Sequence, residues 1–354
     1  MRLGEANRFS MRNKRGAGKM GDGSQVTGIG KNVTSLSQGP NNSSSALLSP
    51  VPETSHPAPG TRDPARTRNL TPDRVGYLMV LPYLLHITIF LGYPLAFAFV
   101  LIFHRWNIYT PMKWVGLGNI RLLISDPLVW RALGNTLYFL VIHIPLQLVI
   151  ALGLAQLLNQ KIRGRAFFRA SYFLPFVISG VVVTILWQQL YAEETGIINV
   201  LLQLIGSPKI GWLTDHRFAM PAIAIMATWK NVGLYIVLFL VGLQSIPSHL
   251  YEAAELDGAS GWQQFRLITI PMLNPVIMLV LVLSTIGGFS LFIEPYVMTG
   301  GGPANSTLSG ILYLYKQAFF FSKMGYATTI GFFWATIIFI VVLFQRRFVE
   351  TEAM

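Results

Sequence analysis

The side chains with the strongest chemical character stand inside otherwise apolar sequence. Lys230 lies near the middle of one apolar segment, between Trp229 and Asn231. An ammonium group at that depth is costly, which favours a water-filled path beside it. An ion pair within a helix bundle, or a side chain that extends to the bundle's edge, is equally compatible with the sequence.

A second group of candidates ends a later apolar segment. Glu294 follows Phe289 and Phe292, and its carboxylate is predicted near one face of the membrane. The two aromatic rings are candidates for contact with a solute, although rings in such segments more often pack. For the same reason His86 and His143 are interpreted as packed or hydrogen-bonded rather than as proton carriers.

The connection 246–271 has the sequence of two short helices rather than of a simple linker. Ser248 is predicted to cap a first helix that runs to about Asp257. Gly258 suits the left-handed backbone conformation that ends a helix.

A second short helix follows at once. Ser260 and Gln263 have the spacing of a capping box, and Pro271 is predicted to close the helix. Phe265 lies between them. Two capped helices exceed what a linker between membrane segments needs, so the connection predicts a docking surface.

The elements that must position these residues are membrane helices. Of the 354 residues 52% are hydrophobic and 12% are charged, whereas a soluble domain carries about 25% charged residues. A bilayer core needs about 20 mostly apolar residues per helix. Six segments meet that requirement, at about 76–103, 133–158, 167–191, 219–243, 272–293 and 327–345. The sequence therefore predicts an all-α integral membrane protein with six transmembrane helices.

The basic residues indicate how these helices are oriented. Cytoplasmic loops are enriched in Lys and Arg, and the connection 159–169 contains four of them: Lys161, Arg163, Arg165 and Arg169. Arg346 and Arg347 follow the last segment. Both termini and the connection 246–271 are thereby predicted to be cytoplasmic.

The domain boundaries follow the composition. Residues 1–74 hold 11 of the 27 basic residues and no long apolar run, which indicates a disordered basic cytoplasmic tail. Residues 75–349 form the predicted membrane domain, and 350–354 form a short C-terminal tail.

Several classes of function do not fit this sequence. The chain has no cysteine, and it shows neither metal-ligand spacing nor a nucleophile–base pair, so an enzyme is not indicated. The net charge of +12 would suit nucleic acid, but no recognition fold accompanies it. An ion-coupled secondary transporter remains as an alternative, although it would require an intramembrane carboxylate pair.

The connection 246–271 resembles the EAA loop of binding-protein-dependent ABC importers. The matching residues are Glu252, Ala253, Ala254, Gly258, Ile268 and Pro271. Ile270 replaces the leucine that usually precedes the proline. Residues 298–307, with Gly-Gly-Pro, resemble an outer loop of carbohydrate permeases of the maltose and glycerol-phosphate type, and residues 227–233 resemble their fourth core helix.

This resemblance implies the fold of a type I ABC importer permease in a bacterial cytoplasmic membrane. It also implies four partners: an ATP-binding subunit dimer, a second permease, an extracytoplasmic solute-binding protein and a sugar or polyol. The chain itself would bind no cofactor, because ATP-Mg would be used by the ATP-binding subunits. No nucleic acid is expected as a partner.

The resemblance assigns roles to both groups of candidates. The residues expected to couple the chain to the ATPase are Glu252, Ala253, Ala254, Asp257, Gly258, Phe265 and Pro271. The residues expected along the substrate path are Trp229, Lys230, Asn231, Phe289, Phe292 and Glu294. Trp229 offers a stacking face and Asn231 an amide, and both suit a sugar.

Overall fold

The structure is a computed structural model that describes residues 72–160 and 163–352. Its side chains are described for residues 76–160 and 163–347. The predicted tail 1–74 lies almost wholly outside these ranges, as do Lys161 and residues 353–354 of the predicted C-terminal tail.

The described chain is helical apart from one small hairpin. Its helices are α1 (Pro72–Ile87), α2 (Tyr93–Leu101), α3 (Gly118–Ser125), α4 (Pro127–Asn159), α5 (Arg165–Val177), α6 (Gly180–Leu190), α7 (Ile197–Leu204), α8 (Ala219–Ser245), α9 (Ser248–Leu256), α10 (Gly261–Gln264), α11 (Ile270–Met272), α12 (Asn274–Phe289), α13 (Ile293–Met298), α14 (Gly310–Tyr315) and α15 (Met324–Glu352). Three wider π-helical turns interrupt them, at Thr88–Gly92, Phe265–Thr269 and Lys316–Phe320. Strands β1 (His104–Arg105) and β2 (Lys113–Trp114) pair antiparallel.

Five helical stretches within the described ranges are long and apolar enough to cross a membrane. They are Gly76–Leu101, Pro127–Asn159, Ala219–Ser245, Asn274–Met298 and Met324–Arg347. Each overlaps one of the predicted segments. A sixth span results only if α5 and α6 are counted together.

The predicted membrane segment 167–191 is present as two helices separated by a bend. Helices α5 and α6 meet at an angle of 98°. The bend falls where Ile178 adopts an extended backbone with φ −68° and ψ 145°. Pro175 stands three residues earlier and cannot donate a backbone hydrogen bond, which weakens the last turn of α5.

Helix α8 forms the centre of the bundle and buries sixteen of its residues. Helix α4 packs along it, and α5 crosses it at Gly233. A Cβ atom at Gly233 would lie 2.1 Å from the backbone oxygen of Tyr172. Only glycine therefore permits the two helix backbones to approach this closely.

Polar side chains join the long helices inside the bundle. Gln147 of α4 donates to the Ser284 hydroxyl of α12 at 2.6 Å. Gln345 of α15 donates to the Thr285 hydroxyl of α12 at 2.8 Å. Such bonds fix how the helices are rotated about their axes, because a buried amide without a partner costs free energy.

Candidate functional site

An ion pair inside the bundle lines a cavity of about 440 Å³. Lys230 of α8 places its Nζ 3.2 Å from Oε1 of Glu294 in α13. Their side chains are only 14% and 11% exposed. The ammonium group of Lys230 is thus paired, and the pair also faces open space.

Glu294 lies in α13, beyond a short break that separates it from α12. Helix α12 ends at Phe289, and α13 begins at Ile293 within the same candidate membrane span, Asn274–Met298. Glu294 is buried within the protein.

Four of the six predicted path residues line this cavity: Lys230, Asn231, Phe292 and Glu294. The other two do not. Phe289 is fully buried in the apolar core, and Trp229 points to another face of α8, where its ring lies 5.4 Å from that of Trp187. Residues 229 and 230 are adjacent on a helix and therefore project about 100° apart.

His143 and Ser284 also line the cavity, although neither was predicted as a path residue. The Thr228 hydroxyl donates to the Ala224 carbonyl at 2.8 Å. The Thr228 hydroxyl also lies 2.8 Å from Nδ1 of His143, so it joins the two long helices α8 and α4. His143 is packed and hydrogen-bonded, as predicted, and also stacks on Phe139. The hydroxyl of Ser284 within an apolar segment is a sequence signal that could have pointed to this cavity.

The connection between α8 and α12 contains the two predicted short helices. Helix α9 ends in a Schellman motif, in which the amide of Ala259 donates to Ala254 O at 2.9 Å and the amide of Gly258 donates to Glu255 O at 3.1 Å. Gly258 has φ +77°, the left-handed conformation predicted for it. The capping box is confirmed, because Ser260 N donates to Gln263 Oε1 at 2.7 Å and Gln263 N donates back to the Ser260 hydroxyl.

Two details of this connection differ from the prediction. Ser248 is the first residue of α9 rather than its cap, because Pro247 occupies the cap position. Pro271 does not close the second helix but lies inside α11, which continues to Met272. The π-helical turn Phe265–Thr269 directly before α11 changes the hydrogen-bond register, and this accommodates a residue without an amide hydrogen.

The surface of this connection is unusually apolar. Leu256 is 90% exposed, and Trp262 and Leu267 are each 69% exposed. Glu252, Ala253 and Asp257 are exposed on α9 or directly after it. Phe265 is half-buried and stacks under Trp262 with ring centroids 5.6 Å apart, so it supports the more exposed ring.

Residues 77–351 match the family described as binding-protein-dependent transport system inner membrane component. The chain belongs to this family. It is therefore an inner-membrane permease that works with a solute-binding protein, and it is a transport subunit rather than an enzyme.

Characterised relatives cover most of the permease. The lactose transport system permease protein LacF of Rhizobium radiobacter is 40% identical over 267 residues, which are 73% of this chain and 88% of LacF. The arabinooligosaccharides transport system permease protein AraP of Bacillus subtilis is 34% identical over 83% of this chain and 95% of its own. These relatives favour an ABC importer over an ion-coupled secondary transporter.

Solved structures agree with this assignment. The permease resembles a chain of a bacterial ABC transporter that imports the acidic polysaccharide alginate, with a TM-score of 0.69 and 25% identity over 80% of this chain and 97% of that one. A chain of the alginate transporter in complex with an alginate pentasaccharide-bound periplasmic protein gives the same TM-score and identity, over 79% of this chain and 96% of that one. The predicted fold of a type I ABC importer permease is confirmed.

Proposed function

We propose that the permease forms, with a second permease, the path by which an ABC importer carries a sugar or polyol into the cell. The observation that carries this proposal is that relatives matching two thirds or more of the chain are named for lactose, arabinooligosaccharide and trehalose/maltose transport.

The cavity around Lys230 and Glu294 supports a sugar as the cargo. It offers an aromatic face at Phe292, an amide at Asn231 and a hydroxyl at Ser284. Pyranose rings combine apolar faces with a rim of hydroxyl groups, and ligand sites of this kind pair apolar walls with a few placed polar groups.

The connection around α9 and α10 supports docking to an ATPase. Leu256 and Trp262 present apolar area that the described residues leave exposed, and large exposed apolar groups mark interaction sites. We infer that Glu252 and Asp257 add polar contacts at its edge. The ATP-binding subunit dimer docked on this surface would itself bind and hydrolyse ATP-Mg. Closure of that dimer would move α9 and, through it, α8.

The proposed orientation places both termini, and the connection around α9, in the cytoplasm. The short connection 159–169 carries the basic residues that favour this orientation. The first membrane helix packs little against the other described residues, with Tyr77 and Phe90 about 70% exposed. Lipid and the second permease are the proposed cover for that helix.

The proposal is tested by transport in proteoliposomes that contain the permease, its second permease, the ATPase and the solute-binding protein. The probes are radiolabelled lactose, maltose, trehalose and arabinooligosaccharides, with an amino acid as the control solute. We expect ATP-dependent uptake of at least one sugar and none of the amino acid. Uptake that follows an ion gradient without ATP would contradict the proposal.

A further inference from the structure

A second, larger cavity of about 770 Å³ lies at the opposite end of the bundle from α9. It is enclosed by the β1–β2 hairpin, by α3 and by the residues just before α15. Four basic side chains line it: Arg105, Lys113, Arg121 and Lys323. Arg105, Lys113 and Arg121 lie within residues 105–121, and the fold brings Lys323, which is distant in sequence, to the same cavity.

The hairpin places two of these charges opposite each other. Arg105 and Lys113 are direct partners in the register of β1 and β2. Like charges directly opposite each other destabilise a strand pair. The hairpin is held by other means, since Asn119 donates to Ile102 O at 2.8 Å and to His104 O at 2.9 Å.

This cluster has no counter-charge among the side chains that the structure describes. All four basic residues are exposed, and no carboxylate is among the side chains that line the cavity. Among residues 76–160 and 163–347 none of the four takes part in an ion pair. Asp126, the acidic residue closest to them in sequence, accepts hydrogen bonds from Tyr313 and Tyr326 instead.

This concentration of charge runs against the usual distribution. In the proposed orientation the outer loops hold eight Lys and Arg residues, and four of them meet at this one cavity. Outer loops are normally poor in basic residues. Mutual repulsion without a counter-charge is a cost that an anionic partner would offset.

We propose that this basic cavity is the surface on which an acidic region of the solute-binding protein docks. The inference rests on the proposed function and orientation. Four cations on separate segments around one concavity suit several carboxylates on a folded surface, whereas a lipid phosphate would need fewer. Complementary charge of this kind steers association and fixes the register of the two proteins.

The test measures ATP hydrolysis by the complete transporter in nanodiscs as the concentration of solute-binding protein is raised. The variants are Arg105→Glu and Arg121→Glu, and the matched control is Arg217→Glu, an exposed outer cation outside the cavity. We expect each cavity variant to raise the half-saturating concentration at least about tenfold with an unchanged maximal rate, because an opposed like charge weakens association. The control should match the wild type.

Two further arms separate the possible occupants and guard against misfolding. Replacing an acidic residue on the binding protein by lysine should restore the affinity lost in Arg121→Glu, which a misfolded variant could not do. If the half-saturating concentration is unchanged in the cavity variants, the proposal is overturned. It is also overturned if the effect exists only in nanodiscs with anionic lipid, since lipid would then be the occupant. A wild-type transporter that the binding protein does not stimulate at all would contradict the proposed function itself.

Discussion

At the scale of single residues, the pair formed by Lys230 and Glu294 joins two helices that are 64 residues apart in sequence. Removing two charges from water is costly, and the cost is offset only while both partners stay together. Because the pair also borders a cavity, the same two groups can stabilise the bundle and meet a polar solute.

Neutralising one member of the pair should therefore harm the protein more than neutralising both. We predict that Lys230→Met lowers the free energy of unfolding in detergent by about 3 kcal/mol, because Glu294 is left buried without a counter-charge. The double variant Lys230→Met, Glu294→Gln should recover most of this loss. Thermal unfolding of the purified chain measures both.

The chain offers a matched control at its surface. Lys209 pairs with Glu194, but these side chains are 37% and 75% exposed. Lys209→Met should cost no more than about 0.5 kcal/mol, because exposed pairs contribute little. If Lys230→Met and Lys209→Met lowered the free energy of unfolding equally, the buried pair would contribute no more to stability than the exposed pair.

The sequence could predict part of this residue-scale description. A lysine within an apolar segment is conspicuous, and Lys230 was singled out for that reason. Its partner could not be assigned, because Glu294 is 64 residues away in sequence and the packing of α13 against α8 leaves no clear sequence signal. Trp229 was grouped with Lys230 by adjacency, although helix geometry directs neighbouring side chains to different faces.

At the scale of elements, the turn between α9 and α10 is built on one backbone conformation. Gly258 has φ +77°, which a residue with a Cβ atom adopts at a cost of about 1–2 kcal/mol. Gly261 stands three residues later at the start of α10, with a negative φ and open space around it. The two glycines lie in the same connection and differ in backbone conformation.

This difference gives a direct test of the coupling role. Gly258→Ala should reduce the ATP hydrolysis that the binding protein stimulates and the sugar uptake it drives, because the turn would open and α9 would shift. Gly261→Ala should leave both rates near the wild type. Normal coupling in Gly258→Ala would show that the turn does not set the position of the docking surface.

Elements were predictable where periodicity and length are strong. Six apolar segments, the capping box and the turn at Gly258 were all derived from the sequence. The bend between α5 and α6 was missed because membrane helices tolerate proline and glycine, so these residues do not by themselves predict a break. The short helices α3, α7 and α14 were missed because few turns give little periodic signal.

At the scale of the whole molecule, the two ends of the bundle differ in chemistry. One end presents the exposed apolar side chains of the α9–α10 connection, and the other presents the four cations of the basic cavity. Between them lies the cavity with the Lys230–Glu294 pair. This arrangement fits the proposed function, in which one end of the subunit docks to an ATPase and the other receives a solute from the binding protein.

The most direct test of this account is gentle solubilisation of the chain from its native membrane, followed by identification of the proteins that co-purify with it. We predict an ATP-binding subunit and a second permease in stoichiometric amounts. Leu256→Asp, which places a charge on the exposed apolar surface, should remove the ATP-binding subunit and retain the second permease. A wild-type chain that emerges alone on repeated trials would contradict the account.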